Sequence, residues 1–445
     1  MKLKASIAVL SLLAALAVAS AATKLDLAAY LKLVEARNKD LEIGRGEIAQ
    51  TEATKKQALA GLLPSLGLQA NYTRNLKDYE EPVASYAANI GSSSPYFPLV
   101  STEQIVNYKN EIDLAAGASL SIFDAGATAR YRQAGAGLEA RKTGYAYQRK
   151  AVLNAAKKLY YQTLLAEEVV KVKESSERIA REAYDSAEAK YRAGLSTDLD
   201  ALMAEVAWKG KAPESAEARR NASTALLNFK ALAGIPADEE VELSESLEAY
   251  PQRPPRVGIE EALAGRPDYA LLLQQEKLDR IGLDVARAGY FPTLTGILSV
   301  ANQRFFDSDN EGIIDFNMTE VQLGLKVALP VYTGGYRAAK VEEERLGVEI
   351  GGTQLAKKEE DVRTELSSID LRLDEASQRV ESTKDVVASA QRAYDRASGA
   401  FKNGAATQLQ LNQATLGLEG SRLQYLAAVY DYLAACFDWE LAAGR

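Results

Sequence analysis

The sequence of 445 residues contains no histidine, three methionines and a single cysteine. Without histidine the chain lacks the side chain that ordinarily titrates near neutral pH and the commonest zinc ligand. The scarcity of methionine argues against a methionine-based copper site. Cys436 alone cannot form a disulfide within the chain. We therefore expect no catalytic residues, no bound cofactor and no metal, and we expect that the protein is not an enzyme.

Long apolar runs are also scarce. Residues 1–21 have the composition of a secretory signal peptide, because Lys2 and Lys4 precede an apolar stretch that ends in small residues. This stretch is shorter than the ~20 residues that a membrane anchor needs. Beyond residue 22 no apolar run reaches the ~18 residues of a spanning helix. An exported chain of this kind is soluble in the periplasm, secreted, or inserted in a membrane as β-strands.

Basic residues are fewer than acidic residues. The 53 basic residues include the two leader lysines, so the mature chain has 51 basic residues against 61 acidic ones, a net charge of −10. A net acidic chain is a poor candidate for nucleic-acid binding, which depends on cationic side chains. We expect no nucleic-acid partner.

The chain contains an internal duplication, marked by three short segments that recur in the same order. The offset between copies is 228 residues at the first segment and 209 to 210 at the other two. The matching segments are residues 60–66 (AGLLPSL) and 288–294 (AGYFPTL), residues 121–126 (SIFDAG) and 329–335 (LPVYTGG), and residues 191–197 (YRAGLST) and 401–407 (FKNGAAT). We interpret residues 22–233 as repeat one, residues 234–258 as a linker and residues 259–445 as repeat two.

Each repeat predicts a helix, two strands, a very long helix, a tight turn and a shorter helix. In repeat one the first helix is expected over about residues 26–63, where Pro64 stops it. Proline is absent from both stretches predicted as long helices. The strands are predicted at about 66–74, 112–124, 294–304 and 320–331, the long helices at about 127–193 and 336–403, and the turns at 194–197 and 404–407.

The predicted strands alternate apolar and polar residues with a period of two, typical of a sheet whose faces meet different surroundings. In the last strand Val321, Leu323 and Leu325 lie on one face. Gln322 and Lys326 lie on the other. Such strands fit either a soluble sheet packed on a core or membrane-spanning strands of about ten residues. Four of them in an exported chain favour the membrane, with Gln322 and Lys326 facing a barrel lumen.

Four strands are too few to close a barrel, since small single-chain outer-membrane barrels have eight. Open edges are not tolerated in hydrocarbon because unpaired backbone groups are costly there. The chain must then share a barrel with copies of itself. Two copies would give a filled eight-stranded barrel, whereas three would give twelve strands and leave a pore. A conducting protein therefore favours a trimer.

This combination of repeats, long helices and alternating strands resembles the TolC-like outer-membrane efflux protein family over essentially the whole mature chain. The resemblance rests on the junctions at residues 63–66 (LPSL) and 290–294 (YFPTL), on residues 329–335 (LPVYTGG), on two Gly-x-x-Thr turns, and on Arg266-Pro267-Asp268 at the start of a helix. The junction residues that we single out are Pro64, Gly126, Pro292, Pro330 and Gly335.

The resemblance implies a mostly α-helical protein with a small β part, assembled as a homotrimer. Twelve strands would form an outer-membrane β-barrel, continued by twelve helices that form an α-barrel across the periplasm. Residues 234–258 would contribute an irregular belt. The implied function is that of a passive exit channel in a tripartite efflux or type I secretion system. The implied partners are outer-membrane lipid, a periplasmic adaptor protein and an inner-membrane transporter that supplies the energy.

The two turns are predicted to end the long helices in a left-handed glycine cap. The first residues of the following helices have the Ser/Thr-x-x-Asp/Gln spacing of a capping box. The resemblance implies that these turns form the periplasmic tip and contact the adaptor. The turn residues are Gly194, Thr197, Gly404 and Thr407.

Five polar residues after these turns are candidates for a pore constriction: Asp198, Asp200, Glu205, Gln410 and Gln413. The alternative for Asp200 and Gln410 is a purely structural role as capping residues. The resemblance places the constricting aspartates of the family at the positions of Gln410 and Gln413, which are amides here. Ala406 stands where the family has an arginine, and Phe401 where it has a tyrosine. A looser or differently latched tip is the expectation.

A soluble periplasmic coiled-coil adaptor is the competing hypothesis. It accounts for the long helices but leaves four alternating strands without a role. A secreted enzyme is disfavoured because the residue constellations that catalysis needs are missing.

Overall fold

The computed structural model describes residues 23–76, 80–86, 99–105, 109–306 and 316–445. The predicted signal peptide lies outside these residues. Eight helices occur in the described part of the chain: α1 Leu27–Arg37, α2 Lys39–Ala60, α3 Ala125–Arg192, α4 Asp198–Leu232, α5 Ile259–Gly265, α6 Pro267–Ala288, α7 Tyr336–Lys402 and α8 Gln408–Ala442. None of these helices is both long enough and apolar enough to cross a membrane.

The described strands are β1 Thr23–Leu25, β2 Ser65–Arg74, β3 Glu80–Tyr86, β4 Leu99–Ile105, β5 Asn110–Phe123, β6 Val241–Leu243, β7 Thr293–Phe306 and β8 Phe316–Ala328. Strands β2, β5, β7 and β8 lie where the alternating pattern predicts strands. The last one ends at Ala328 rather than near residue 331, so Pro330 lies outside it. The loop expected after residue 74 contains the antiparallel hairpin β3–β4.

Each long helix is one unbroken element of 68 or 67 residues, as the absence of proline predicts. The helix expected over residues 26–63 is instead two helices that meet at Asn38. The buried Asn38 side chain donates to the carbonyl of Leu232 at 3.0 Å and accepts from the amide of Leu41 at 3.1 Å. It thus caps α2, and its long-range partner was not visible in the sequence.

The described chain divides into two compact units. The helical unit comprises residues 23–49, 139–275 and 352–445, and the unit that holds the four-stranded sheet comprises the described residues within 50–138 and 276–351. An aromatic cluster anchors the core of the helical unit. Tyr30 stacks on Phe229 with ring centroids 3.9 Å apart, and the ring of Tyr160 lies 5.8 Å from that of Tyr30. All three side chains are fully buried.

Residues 234–258 are mostly irregular, as expected of a belt segment, with the three-residue strand β6 as their one regular element. Strand β6 in this segment pairs in parallel with β1 at the start of the described chain. Arg253 reaches Asp374 of α7 with Nε 2.8 Å from a carboxylate oxygen. The hydroxyl of Tyr432 donates to the carbonyl of Pro251 at 3.0 Å. The segment is therefore bound along α7 and α8 of the helical unit.

The Arg266-Pro267-Asp268 motif ties the end of α8 to the start of repeat two. The buried Arg266 guanidinium donates to both carboxylate oxygens of Asp268, at 3.0 and 2.7 Å, and to the carbonyl of Ala442 at 3.0 Å. Lys358 on α7 also contacts Asp268 at 2.7 Å. Burial alone would raise the pKa of Asp268, but the hydrogen bonds from Arg266 and Lys358 outweigh it and lower this pKa to about 2.

Strands β2, β5, β7 and β8 form one antiparallel sheet in that order. Their register aligns like residues across all four strands. One row consists of Leu66, Ala118, Leu298 and Leu323; the neighbouring row consists of Gly67, Gly117, Ser299 and Gln322. The predicted apolar and polar faces are therefore present, and Lys326 lies on the polar face opposite Thr295.

The two junctions into the long helices are built differently. The carboxylate of Asp124 caps α3 by accepting from the amide of Ala127 at 2.8 Å, so Gly126 lies inside the first turn rather than before the helix. At the start of α7 the chain turns through Gly334 and Gly335, with φ of 61° and 86°. Only glycine adopts two such left-handed positions without strain.

Arg337 is a junction residue that the sequence did not single out. Its guanidinium donates to the carbonyl of Gly289 at 3.1 Å and to that of Val331 at 3.0 Å. The same group lies 4.7 Å from the ring centre of Tyr290. Arg337 thereby joins the two helix–strand junctions of repeat two, beside Pro292 and Pro330.

Replacement of Asp268 by asparagine should destabilise the helical unit by about 2 kcal/mol at pH 7, since each pKa unit corresponds to 1.36 kcal/mol. The folded pKa lies below the ordinary value of 3.8. The stabilisation is therefore complete above about pH 4 and is lost as the pH falls toward 2. Denaturant unfolding of wild type and Asp268→Asn at pH 7 and pH 3 should show a difference that shrinks at the lower pH. The exposed Asp361→Asn is the control, and an equal effect of both changes at pH 7 would contradict this reasoning.

Candidate functional site

Two matching turns connect the long helices to the helices that follow. Gly194 and Gly404 have φ of 73° and 74°, the left-handed conformation predicted for helix-ending glycines. In the first turn the amide of Leu195 donates to the carbonyl of Lys190 at 2.8 Å. In the second turn the amide of Ala405 donates to the carbonyl of Ala400 at 2.8 Å. Both turns are Schellman motifs, which satisfy carbonyls that the helix end would leave unpaired.

Both following helices begin with a complete capping box. The hydroxyl of Thr197 accepts from the amide of Asp200 at 3.2 Å, and the Asp200 carboxylate accepts from the amide of Thr197 at 3.3 Å. Thr407 and Gln410 make the same reciprocal pair at 3.3 and 2.9 Å. Hydrogen bonds from the Thr197 hydroxyl and amide hold the pKa of Asp200 below its usual range. The structural role predicted for these four residues is thus present.

The side chains of the five candidate constriction residues differ in whether they are bonded to their own helix or exposed. Asp200 and Gln410 are turned back to their own helix ends by the capping boxes. Glu205 pairs with Lys209 on the same helix, with 2.5 Å between oxygen and nitrogen. Asp198 and Gln413 lie on exposed positions of α4 and α8. Asp198, Asp200 and Glu205 thus belong to α4, and Gln410 and Gln413 belong to α8.

The hairpins α3–α4 and α7–α8 contact each other close to the turns. The buried Phe401 side chain packs with Ala183 and Leu411. The ammonium group of Lys190 lies 4.0 Å from the centre of the Phe401 ring and donates to the Phe401 carbonyl at 2.5 Å. This lysine links the two turns, and no local pattern marks it because its partner lies 211 residues away.

The turn of repeat one carries an exposed apolar stripe that also escaped the sequence reasoning. It consists of Leu195, Leu199, Leu202 and Val206, all at least half exposed. Their spacing of four, three and four residues places them on one side of the turn and of α4. The corresponding residues of repeat two are Ala405, Leu409, Asn412 and Leu416. The two turns therefore share a backbone but present different surfaces.

The apolar face of the sheet is exposed in the described chain. Leu66, Leu68 and Leu323 are 84, 89 and 85 % exposed, so no described residue of this chain covers them. A soluble sheet buries its apolar face on a core. The polar face carries Gln322 and Lys326 at exposed positions of β8. Among the described residues, then, the sheet is not packed on a core of its own chain, which disfavours the first of the two interpretations of the alternating strands.

Comparison with known proteins gives a consistent result. The family profile described as "Outer membrane efflux protein" matches residues 30–235 and 258–444. Outer membrane protein TolC of Escherichia coli (strain K12) is 23 % identical over 420 residues, covering 92 % of this chain and 80 % of that protein. The fold is similar to that of the outer membrane protein VceC of Vibrio cholerae, with a TM-score of 0.71 and 16 % sequence identity, over 94 % of this chain and 96 % of that one. It is also similar to the open state of the Neisseria gonorrhoeae MtrE outer membrane channel, with a TM-score of 0.74 and 16 % identity, over 94 % of this chain and 88 % of that one.

Removal of the Thr197 hydroxyl should loosen the start of α4 without unfolding the chain. Loss of a threonine cap costs about 1 kcal/mol, which corresponds to roughly fivefold faster local hydrogen exchange. We expect this increase for peptides that begin at residues 198–203 in Thr197→Ala, measured by hydrogen exchange with mass spectrometry. The turn at Thr407 provides an internal reference, and Thr197→Ser should retain the protection. Equal exchange in wild type and Thr197→Ala would show that the box does not stabilise the turn.

Proposed function

The chain belongs to the outer membrane efflux protein family, whose members are outer-membrane channels, and we propose that it is the channel subunit of a tripartite efflux or type I secretion system. Solutes would pass through it without chemical change, so the protein is not an enzyme. An inner-membrane transporter would supply the energy and a periplasmic adaptor protein would connect the two. The channel would extend from the outer membrane into the periplasm.

The exposed apolar face of the sheet is the observation that carries this proposal. Apolar side chains on strands of 10 to 14 residues suit the hydrocarbon layer of a membrane, which tilted strands of about this length cross. Phe305 and Phe316, whose rings stack with centroids 6.3 Å apart, lie at one end of this sheet. Aromatic residues at strand ends are typical of the membrane interface. Tyr79, Tyr96, Phe97 and Tyr108, which also fit such a girdle, lie outside the described residues.

The sheet edges support a homotrimer. Within the four-stranded sheet, β2 and β8 each pair on one side only. In hydrocarbon the other side must find a partner, and copies of the same chain offer one at each edge. Three copies would close a twelve-stranded barrel, with Gln322 and Lys326 facing the lumen, and would place twelve helices in a periplasmic α-barrel. Outer-membrane lipid would contact the apolar face.

The paired turns would form the periplasmic tip. Gly194 and Gly404, with Thr197 and Thr407, give each turn a fixed shape that a helical adaptor could recognise. The adaptor would contact these turns at the surface that the two hairpins share. Such docking needs a rigid end, and the Schellman motifs and capping boxes supply it.

The pore constriction would lie on the helices that follow the turns. Gln410 and Gln413 replace the acids that the resemblance leads one to expect, and Ala406 cannot form a salt bridge. The tip of this channel would then be held less tightly than that of a channel with acidic gate residues, or it would be held closed by other contacts. Asp198, Asp200 and Glu205 of repeat one would supply what negative charge the tip presents.

An arginine at position 323 should prevent stable insertion in the outer membrane, whereas an arginine at position 322 should not. The two residues are neighbours on β8 but lie on opposite faces. A cationic side chain on the lipid face costs about 2–4 kcal/mol at mid-membrane, while a lumen residue remains in water. The amounts of Leu323→Arg and Gln322→Arg in washed outer membranes, and their trimer content in detergent, measure this difference. Extraction of the wild-type chain by salt alone would instead favour a soluble adaptor.

A negative charge at position 413 should increase the preference of the channel for cations. In a trimer, Gln413→Asp would place three carboxylates at one level of the pore, where they attract cations. We expect the cation-to-anion permeability ratio in planar bilayers to rise roughly twofold or more. Gln413→Asn keeps a neutral amide and serves as the matched control. A wild-type conductance as low as that of a closed channel, unaffected by either change, would contradict the proposed constriction.

A further inference from the structure

Basic residues concentrate where the helices meet the four-stranded sheet. Helices α2 and α6 lead into β2 and β7, while β5 and β8 lead into α3 and α7. The register places the starts of β2 and β7 opposite the ends of β5 and β8, so all four helices join the sheet at the same end. The six helical residues nearest to the sheet at these four junctions include six basic residues and one acid, Asp284. The basic residues, which we call the basic band, are Lys55, Lys56, Arg130, Arg287, Arg337 and Lys340.

The excess of positive charge is confined to a thin layer. The next six residues of the same four helices contain four basic and five acidic residues. Six residues of helix rise about 9 Å. The headgroup layer on one side of a bilayer is about 5–8 Å thick. In a mature chain of net charge −10, the band therefore forms a local positive layer of about the thickness of lipid headgroups.

The helix dipole explains only part of the band. Lys56 and Arg287 lie near the C-terminal ends of α2 and α6, where the dipole favours cations. Arg337 and Lys340 lie at the start of α7, where it disfavours them. Lys340 is neutralised by Glu343 and Glu344, at 2.9 and 3.0 Å. The charge of Arg337 has no carboxylate partner within the part of the chain that the structure describes, so it calls for an anion from elsewhere.

The Arg337 guanidinium is held in place and still has donors to offer. Its Nε donates to the Thr333 hydroxyl at 3.2 Å, and one N–H of each terminal nitrogen donates to a backbone carbonyl, as described above. These three acceptors are uncharged, so the group keeps its full positive charge. Two of the five N–H groups of an arginine remain, which is the number that a bidentate contact with a phosphate uses. Arg337 is thus preorganised as a phosphate ligand.

Two other members of the band are also available to an anion. Lys56 and Arg287 lie at exposed positions of α2 and α6. Neither forms an ion pair with another described residue. The band therefore offers three cationic side chains whose charge the described chain leaves uncompensated.

Exposed aromatic rings lie at the same end of the sheet as the basic band. Tyr332 and Tyr336 are 84 and 70 % exposed, and Tyr290 and Phe291 are also exposed. Tyrosine is enriched at membrane interfaces, where an apolar ring and a polar hydroxyl meet different surroundings. This end of the sheet thus has the side chains of an interface.

The length of the strands places the band just outside the hydrocarbon layer. Phe305 and Phe316 mark the opposite end of the sheet, and β8 has 13 residues from Phe316 to Ala328. Such a strand is about 44 Å long and spans about 31 Å when tilted by about 45°. This span equals the hydrocarbon thickness of about 30 Å. The residues that follow the strand ends therefore lie at the level of the lipid headgroups.

We propose that the basic band binds anionic phospholipid headgroups in the periplasmic leaflet of the outer membrane, with Arg337 as a fixed phosphate ligand beside Lys56 and Arg287. The inference rests on the proposed function, because it takes the apolar face of the sheet as the lipid-facing surface and the long helices as periplasmic. Charge complementarity and continuity with that surface both favour a lipid as the occupant of the band.

Lys56→Gln combined with Arg287→Gln tests the band by removing two exposed charges. The full chain, purified in detergent, would be mixed with equal amounts of phosphatidylglycerol and phosphatidylethanolamine, and the bound lipids counted by native mass spectrometry. We expect the wild type to prefer phosphatidylglycerol, and the double variant to lower the ratio of the two bound lipids about fivefold or more. Lys277→Gln with Arg280→Gln is the matched control, since it removes the same charge from exposed positions of α6 further from the sheet and should leave the ratio unchanged.

The same spectra contain the outcomes that would overturn the proposal. One is a wild type with no preference for the anionic lipid, and another is an equal fall of the ratio in both double variants. The preference should disappear in 1 M salt, where the Debye length is only about 3 Å, and its persistence there would contradict an electrostatic origin. Loss of oligomers in Lys56→Gln with Arg287→Gln, at an unchanged lipid ratio, would instead assign the band to contacts between copies of the chain.

Arg337→Lys tests the fixed ligand separately and keeps the charge. A lysine lacks the planar fork, so we expect the ratio of bound phosphatidylglycerol to phosphatidylethanolamine to fall roughly threefold. A purely structural role of Arg337 at the junction would affect thermal unfolding without a change of this ratio. A ratio equal to that of the wild type would therefore exclude Arg337 as a phosphate ligand.

Conductance in planar bilayers separates this inference from the proposed function. If the wild type conducts and the lipid ratio does not respond to the band variants, the lipid site is wrong and the channel stands. If the wild type does not conduct but prefers phosphatidylglycerol through the band, the channel is wrong and the lipid site stands.

Discussion

A backbone N–H or C=O group that leaves water without a hydrogen-bond partner costs several kcal/mol in hydrocarbon. This constraint governs the sheet, because among the described residues β2 and β8 each have a strand partner on one side only, while Leu66, Leu68 and Leu323 expose an apolar surface. In water, exposure of the apolar surface is unfavourable. In lipid, exposure of the unpaired strand edges is unfavourable. The closure with further copies of the chain that we propose would remove both penalties at once, which a single four-stranded sheet could not do.

Comparison of the two matching halves of the chain shows which structural features they share and in which they differ. Both repeats keep the left-handed glycine and the capping box, because a sharp reversal between two long helices needs both ends satisfied. The junctions into the long helices keep their place but not their chemistry: Asp124 caps one, and two glycines form the other. The surfaces beside the turns differ more: repeat one exposes Leu195 and Leu202 where repeat two has Ala405 and Asn412, whereas Leu199 and Val206 are matched by the exposed Leu409 and Leu416.

The sequence predicted those elements whose cause lies within a few residues. The two proline-free stretches are long helices in the structure. The threonines three residues before Asp200 and Gln410 form capping boxes with them. Alternation placed four strands correctly to within a few residues. What escaped prediction depends on partners far along the chain. The break at Asn38 is bonded to Leu232, β6 pairs with β1, and Lys190 meets Phe401, so none of these has a local signature.

The capping boxes also bear on how the tip could be gated. A side chain at the third helical position that accepts from the backbone at the cap is held against its own helix and cannot extend freely. Asp200 and Gln410 occupy that position in the two repeats. The carboxylate of the one and the amide of the other therefore bind the backbone of their own turn. Gln413 lies almost one helical turn further on, on the same side of α8, and it is not engaged by the cap. A side chain that narrowed the proposed pore would have to project from a helix that remains fixed, and Gln413 on α8 would meet both conditions because Gln410 already secures the helix end.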